Sequence, residues 1–226
     1  MINTNKPNLV FLGPPGAGKG SLAKEFCEKL NYFQLSTGDM FRTEIRNKTK
    51  LGLKIKSILD AGSYVSDEIT NELVKKTLTS LVKKNIPFIL DGYPRTISQA
   101  DFLTNLAKEG IIIKNAILLE ITEDQVVSRL SKRRVCPKCK RIYHIQLNPP
   151  KDLIHCDNEE CDNIEVVKRP DDDKEIVEKR IKIYNDLTFP LIDYYEQKQV
   201  LIRIDAYQPI EKVFDDTIKK LDLEVK

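Results

Sequence analysis

Gly13-Pro14-Pro15-Gly16-Ala17-Gly18-Lys19-Gly20-Ser21 decides the fold. Before it stands Asn8-Leu9-Val10-Phe11-Leu12, a short apolar run that reads as a buried strand. After it a helix is expected from Gly18 to Leu30, with Leu22, Phe26 and Leu30 on one face. A glycine-rich loop that leaves a strand, opens a helix and ends in Gly-Lys is a phosphate-binding loop. Its glycines let backbone N–H groups curl around phosphate oxygens, and the helix N-terminus adds positive potential. Lys19 can reach the terminal phosphates of a nucleotide. The general pattern puts Ser or Thr directly after the lysine. Here Gly20 intervenes and the hydroxyl arrives at Ser21, which argues against direct magnesium ligation by that side chain.

Outward from the loop, strands and helices alternate. Tyr32 to Leu35 reads as a second strand, leading into the helix-start signal Ser36-Thr37-Gly38-Asp39. Helices fill Thr37 to Ala61 with a break near Thr49, and Ser66-Asp67-Glu68 starts another that runs to Lys84. Pro87 to Gly92 reads as strand then turn, Thr96 to Glu109 as helix, Ala116 to Glu120 as strand and Thr122 to Ser131 as helix. From Asp171 a single helix is expected to about Tyr195, followed by the strand Val200 to Ile204 and a closing helix. Such alternation implies an α/β fold with a parallel, doubly wound sheet.

The 226 residues suffice for one α/β core with an insertion. A net charge of +3, from 37 Lys and Arg against 34 Asp and Glu, gives no basic excess of the kind a duplex nucleic-acid binder needs. The opening Met1 to Pro7 has no apolar signal core, and no run approaches membrane-spanning length. A soluble, cytoplasmic protein is expected, with no membrane partner. The basic residues comprise 27 Lys and only 10 Arg, so each Arg is informative. Arg is the side chain for planar, two-pronged binding of phosphate and carboxylate.

Between Cys136 and Val167 the pattern changes to a loop-rich β insertion. Cys136-Pro137-Lys138-Cys139 is followed after sixteen residues by Cys156, and Cys161 completes a second pair. Four thiols so spaced in a reducing compartment suit tetrahedral zinc, with iron or a metal-free reduced insertion as alternatives. Its role would be structural, because an insertion of this size buries too little apolar surface to hold itself together. His144 and His155 read as polar residues of the insertion, and Cys27 as an apolar position of the first helix.

Four blocks resemble the adenylate kinase family and occur in family order across nearly the whole chain: Gly13 to Gly20; Leu35 to Arg42; Asp91 to Ala100; and Arg133-Arg134-Val135-Cys136 with Arg169-Pro170-Asp171-Asp172. The resemblance implies a P-loop NTPase-like three-layer fold. It would have a five-stranded parallel sheet, a helical AMP-binding insertion and a small zinc-containing β lid. The core would be residues 1–35, 66–131 and 172–226, the AMP-binding segment 36–65 and the lid 132–171. The implied activity is reversible phosphoryl transfer, ATP and AMP giving two ADP, which maintains adenine nucleotide balance.

The resemblance also implies roles. Gly16, Ala17, Gly18, Lys19, Gly20 and Ser21 would bind ATP phosphates, with Arg129 on the adenine. Ile142-Tyr143 would touch ATP from the lid, and main chain near Gln208 would touch the adenine. Thr37, Arg42, Arg95 and Gln99 would hold AMP, aided by main chain at Ser63, Tyr64, Val65 and Gly92. Arg133, Arg169 and Arg180 would converge on the phosphates, so that with Lys19 and Arg95 they form the catalytic set. Metal-bearing lids of the family more often carry a two-residue gap in the second pair. That spacing would make Glu159 the fourth ligand, but a thiolate outcompetes an exposed carboxylate for structural zinc, which favours Cys161.

The chemistry explains why such groups are needed. Phosphoryl transfer is positioning, charge stabilisation and water exclusion. Two polyanions must meet in line, which calls for several fixed arginines and Mg²⁺. Asp91, ending a strand beside the P-loop strand, could support that Mg²⁺ through water, and Asp171 and Asp172 are expected to support arginines and to cap a helix. A monomer acting on free nucleotides is expected, with no nucleic acid as partner. Two other readings stand beside it: a kinase for UMP or CMP, and a zinc-ribbon nucleic-acid binder on a P-loop scaffold, which would bind DNA or RNA in a salt-sensitive way.

Overall fold

Every side chain of Leu9-Val10-Phe11-Leu12 is buried, as a wholly apolar run must be when both faces of its sheet are covered. The structure, a computed structural model, describes residues 6–224. The N-terminal residues before Lys6, read above for their polar character, and the last two residues of the segment 172–226 lie outside the described residues.

In chain order the elements are β1 (Leu9–Leu12), α1 (Lys19–Leu30), β2 (Phe33–Ser36), α2 (Thr37–Arg46), α3 (Lys50–Asp60), α4 (Asp67–Lys83), β3 (Phe88–Asp91) and α5 (Ile97–Asn105). They continue with β4 (Asn115–Glu120), α6 (Glu123–Ser131), β5 (Arg133–Val135), β6 (Ile142–His144), α7 (Lys174–Ile183), α8 (Leu191–Gln197), β7 (Leu201–Asp205) and α9 (Ile210–Leu221). The five-stranded sheet is parallel in the order β2-β3-β1-β4-β7, and β5 and β6 form a separate antiparallel pair.

Strand alternation divides the interior in two. Val10, Leu12, Phe88, Leu90, Ala116 and Leu118 face one core with α4, α5 and α8. Leu9, Phe11, Ile89, Ile117 and Leu119 face the other, with α1 and α9. Phe26 of α1 anchors that second core, meeting Phe11, Tyr32 and Phe214 edge-on with ring centroids 5.2–5.7 Å apart. Each such pair contributes about 0.5–1.5 kcal/mol beyond burial. Among the described residues, no helix is long and apolar enough to cross a membrane.

Helix starts are set by side chains. Ser36, Thr49, Thr96 and Thr122 each accept a bond from a backbone N–H in the first turn they precede, and Thr122 with Gln125 completes a reciprocal capping box. The break near Thr49 separates α2 from α3, which cross closely because Gly52 lies against the Glu44 carbonyl. A Cβ at Gly52 would lie 2.2 Å from that oxygen.

Two helices differ from expectation. The stretch Thr96 to Glu109 is helical only to Asn105, then tightens to a 3₁₀ turn over Leu106–Glu109 that ends at left-handed Gly110. The single helix from Asp171 to Tyr195 is divided. A 3₁₀ turn (Pro170–Asp172) precedes α7, a π turn covers Tyr184–Thr188, and α8 starts after Pro190. Pro190 has no N–H to donate backwards, and its ring crowds the carbonyl four residues earlier. The chain widens instead, with the Phe189 N–H donating to Tyr184 O at 2.8 Å.

All five parallel strands point the same way, so the segments that follow them gather at one edge of the sheet. The P-loop follows β1, Thr37 follows β2, Gly92 follows β3, and the turn to Gln208 follows β7. That carboxyl edge is where open α/β sheets bind their ligands.

Candidate active site and metal centre

Left-handed backbone at Gly18 (φ 103°) turns the P-loop into α1, a conformation that a side chain would strain. Ala17 is buried, and its N–H donates to Pro14 O at 3.2 Å, closing the loop on itself. Gly16 packs on Leu130, and Ser21 lies half-buried in the first turn of α1. The Lys19 ammonium donates to the carbonyls of Gly13 at 2.6 Å and Pro14 at 2.9 Å. Burial pulls its pKa down to about 8. Asp91 opposes that shift, while repulsion from Arg95, Arg180 and Arg133 adds to it. Asp91 ends β3 and accepts a bond from Gln34 Nε2 at 2.9 Å, with Gly20 lying over the same carboxylate.

A narrow cleft opens beside it, lined by Thr37, Tyr64, Val65, Gly92, Arg95 and Gln99 among others. The Gly92 carbonyl accepts from the Thr37 hydroxyl and from Arg95 Nε, both at 2.7 Å. Gln99 is 2 % exposed, with Oε1 accepting from the Arg95 N–H and Nε2 donating to Asp67 at 2.7 Å. Asp67 also takes the Thr96 hydroxyl, so this helix-start acid orients the floor of the cleft. Ser63 lines the cleft as well, in the turn after α3. Arg42, on α2, holds Asp39 through Nε and Nη2.

Arg133 and Arg180 converge on two carboxylates, Asp171 and Asp172. Arg133 grips Asp172 with Nε at 2.8 Å and Nη2 at 2.5 Å, and Arg180 Nη1 reaches Asp171 at 3.0 Å and Asp172 at 3.6 Å. Asp172 is fully buried, so this is support of the kind expected. Neither acid caps α7, however: Asp173 occupies the cap position, and its side chain makes no cap bond. Burial pushes Arg169 down to about 10, and the charges of Arg133 and Arg42 add to that, so the three share one neighbourhood. Burial alone would raise the Asp171 carboxyl, but Arg180, Arg133, Arg169 and Arg42 outweigh it and hold it below the usual range.

Arg129 ties two loops together, donating to Ala17 O at 3.3 Å and to Ala206 O at 2.7 Å, with Cζ 5.6 Å from the Tyr207 ring centre. Gln208 donates to Asp205 O and to Asp216 through Nε2, which fixes the turn after β7.

In the insertion, the Sγ atoms of Cys136, Cys139, Cys156 and Cys161 all lie within 4.8 Å of one another. Cys136 to Cys161 is 3.7 Å and Cys139 to Cys156 is 3.5 Å. Tetrahedral zinc with bonds of about 2.3 Å places its sulfurs about 3.8 Å apart, so the cluster could hold such an ion. Cys161 lies 2 % exposed within the cluster, whereas Glu159 is exposed and outside it. Tyr143 is turned into this cluster, its ring buried and its hydroxyl donating to Cys156 Sγ at 3.4 Å. Ile142, the neighbour of Tyr143 in the expected ATP contact, is half-buried. His144 accepts N–H bonds from Gln146 and Leu147, and His155 pairs with Asp152 at 2.6 Å, so both serve the insertion's own turns. Cys27 is half-buried against the second core.

Gln34, Asp67, Thr188 and Tyr207 carry parts of this site that the sequence motifs do not mark. Asp67 could be noticed as a first-turn acid. The other three have no local signal, because their partners lie far along the chain.

Comparison with known proteins comes to the same place. The family profile described as adenylate kinase matches residues 11–200. A protein named adenylate kinase from Mycoplasma mobile is 47 % identical over 214 residues, covering 95 % of this chain and 97 % of the relative. One from Thermosipho melanesiensis is 45 % identical, with 93 % and 97 % covered. One from Acholeplasma laidlawii is 43 % identical, with 96 % and 99 % covered.

Proposed function

The chain belongs to the adenylate kinase family and is a nucleoside monophosphate kinase that exchanges a phosphoryl group between ATP and AMP, and from that premise we propose how its residues divide the work. The observation that carries the proposal is geometric: the P-loop carbonyls of Gly13 and Pro14 hold the Lys19 ammonium, and Arg133 and Arg180, from separate parts of the chain, meet on the buried Asp172. Basic groups held in fixed directions in this way are suited to hold a polyanion.

The P-loop from Gly16 to Ser21 takes the ATP phosphates on its backbone N–H groups, and Lys19 moves from its carbonyls to the terminal phosphates. Arg129 and the Tyr207-Gln208 turn hold the adenine end of ATP. AMP occupies the cleft, with its base toward Thr37 and Gln99 and its phosphate on Arg42 and Arg95. Arg133, Arg169 and Arg180 spread over the transferring group, where negative charge is shared among oxygens, and Asp171 and Asp172 hold Arg133 and Arg180 in place. Mg²⁺ supplies further charge neutralisation when bound, and Asp91, oriented by Gln34, is the group that would support it.

Residues 36–65 form the acceptor-binding segment and 132–171 the lid, with the rest as core. The four cysteines hold a structural zinc that crosslinks the lid, and four protein ligands leave no open position for chemistry. The protein acts as a cytoplasmic monomer on free nucleotides.

Steady-state assays with ATP and each of AMP, UMP and CMP, run on the wild type and Arg95→Ala, test this reading. AMP should be the best acceptor, and the variant should lose about two orders of magnitude or more in kcat/KM for AMP. A faster reaction with UMP or CMP, or an undiminished variant, would overturn it.

A further inference from the structure

Tyr64 stands where the acceptor cleft meets the core. Its ring lies against the Arg95 guanidinium, with Cζ 4.6 Å from the ring centre. Its hydroxyl is 3.1 Å from Thr188 Oγ1, and Thr188 Oγ1 lies 2.9 Å from the Arg95 carbonyl oxygen. Thr188 has a single O–H, and a carbonyl can only accept. The Thr188 proton therefore goes to Arg95, and Tyr64 must donate to Thr188. The contacts close a ring: Tyr64 to Thr188, Thr188 to the Arg95 backbone, and the Arg95 side chain back to Tyr64.

Two features of the fold build this ring. Thr188 ends the π turn Tyr184–Thr188, whose extra residue shifts the register relative to an α-helix and presents a buried hydroxyl to Arg95. Tyr64 follows Gly62, whose left-handed φ of 71° turns the chain out of α3. A Cβ at Gly62 would lie 3.1 Å from Arg180 Cγ, so the turn carrying Tyr64 also rests on the stem of a second arginine. The rest of Arg95 is already committed. Its N–H is held by Gln99 and its Nε by Gly92, which leaves the terminal nitrogens for a phosphate and the ring of Tyr64 to set their plane.

We infer that the Tyr64 side chain is a positioning residue for phosphoryl transfer, holding Arg95 in the plane that receives the acceptor phosphate. It acts through Arg95, so it tunes affinity for the monophosphate and leaves the donor side alone. The inference rests on the reading of Arg95 as an acceptor-phosphate ligand.

The test is steady-state kinetics of the full chain with AMP and ATP varied separately, for Tyr64→Leu, Tyr64→Phe, Thr188→Val and Arg95→Ala. Tyr64→Leu removes ring and hydroxyl, and should raise KM for AMP about tenfold with KM for ATP within about twofold. Tyr64→Phe keeps the ring and should recover most of that loss. Thr188→Val breaks only the relay and should raise KM for AMP about threefold. If Tyr64→Leu does not fold, Thr188→Val decides: a selective rise in KM for AMP supports the inference, and an unchanged KM overturns it. A parallel rise of both KM values with a lowered Tm would mean a structural role only, and would also overturn it. Arg95→Ala separates the two levels. Unchanged KM for AMP there removes the reading of Arg95 itself, whereas a raised value beside an unaffected Tyr64→Leu removes only the inference about Tyr64.

Discussion

Arg133 and Asp172, 39 residues apart, meet as a two-pronged pair in which the carboxylate is fully buried and the guanidinium is 14 % exposed. The pair gives a phosphate-binding arginine a fixed direction before any phosphate arrives, and Arg180 leans on the same carboxylate. Breaking a buried pair from one side strands the other charge. Asp172→Asn should therefore cost about 2–3 kcal/mol, discounted for the partial exposure of Arg133. On a chain of this size that lowers Tm by roughly 5–10 °C. Thermal melts of the variant check this, and a Tm within a degree of wild type contradicts it.

Asp171 predicts a dependence on acid. Its carboxyl is held below the usual range against the opposing effect of burial, chiefly by Arg180. A carboxyl depressed in the folded state contributes stability that is present above its unfolded pKa of about 4 and lost as pH falls below that. Asp171→Asn should flatten the loss of stability between pH 4 and the acid limit of folding. Denaturant titrations at pH 6 and pH 3.5 measure it, and identical pH dependence in both proteins would sink the idea.

Much of this was legible in the sequence because it is local. The P-loop, its strand and its helix are contiguous, and the break near Thr49 is marked by the capping Thr itself. The four cysteines are legible from spacing. Pairings across the fold are not: Gln34 meets Asp91, Tyr64 meets Thr188, and Arg133 meets Asp172 only once the sheet has assembled. Helical periodicity across Asp171 to Tyr195 hides the division at Pro190, because periodicity records which face is apolar and not where the ladder of hydrogen bonds fails. Tyr143 sits beside a polar, charged run, with no local signal of burial. Its burial follows from the cysteine cluster, beside which a large ring fills the small core of the insertion.

The cluster geometry separates the two candidate fourth ligands. Cys161→Ser should lower bound metal well below one equivalent and lower Tm, while Glu159→Gln should keep both. Metal analysis by mass spectrometry, with melts before and after chelator, measures this. Zinc retained in full by Cys161→Ser and lost from Glu159→Gln would reverse the assignment. On the proposed structural role of the metal, chelation of the wild type should lower Tm more than it changes turnover at low temperature.

Gly52 tests whether residues 36–65 act as a unit for the acceptor. A methyl at this position would meet the Glu44 carbonyl at 2.2 Å, so α2 and α3 must move apart. Gly52→Ala gains about 1 kcal/mol in helix propensity but loses more to overpacking, for a net cost of about 1–2 kcal/mol. Because Thr37 and Arg42 ride on α2, KM for AMP should rise several-fold while KM for ATP stays within about twofold. Equal changes in the two constants would show that the segment does not move independently of the donor site.

Lys19 ties the pH behaviour of the free enzyme to its charge cluster. Its pKa is lowered to about 8, first by burial and then by Arg95, Arg180 and Arg133, with Asp91 opposing. A lysine lowered in the folded state costs stability, fully below pH 8, and the cost is relieved as pH rises toward the unfolded value of about 10.4. Function runs the other way. A neutral amine cannot offset phosphate charge, so kcat/KM for ATP, which reports the free enzyme, should fall above pH 8. The bound phosphates restore the proton, so kcat should hold to higher pH than kcat/KM. Asp91→Asn removes the one opposing charge and should move the fall in kcat/KM toward lower pH. A kcat/KM profile flat to pH 9.5 in the wild type would contradict the assignment, as would a shift toward higher pH in the variant.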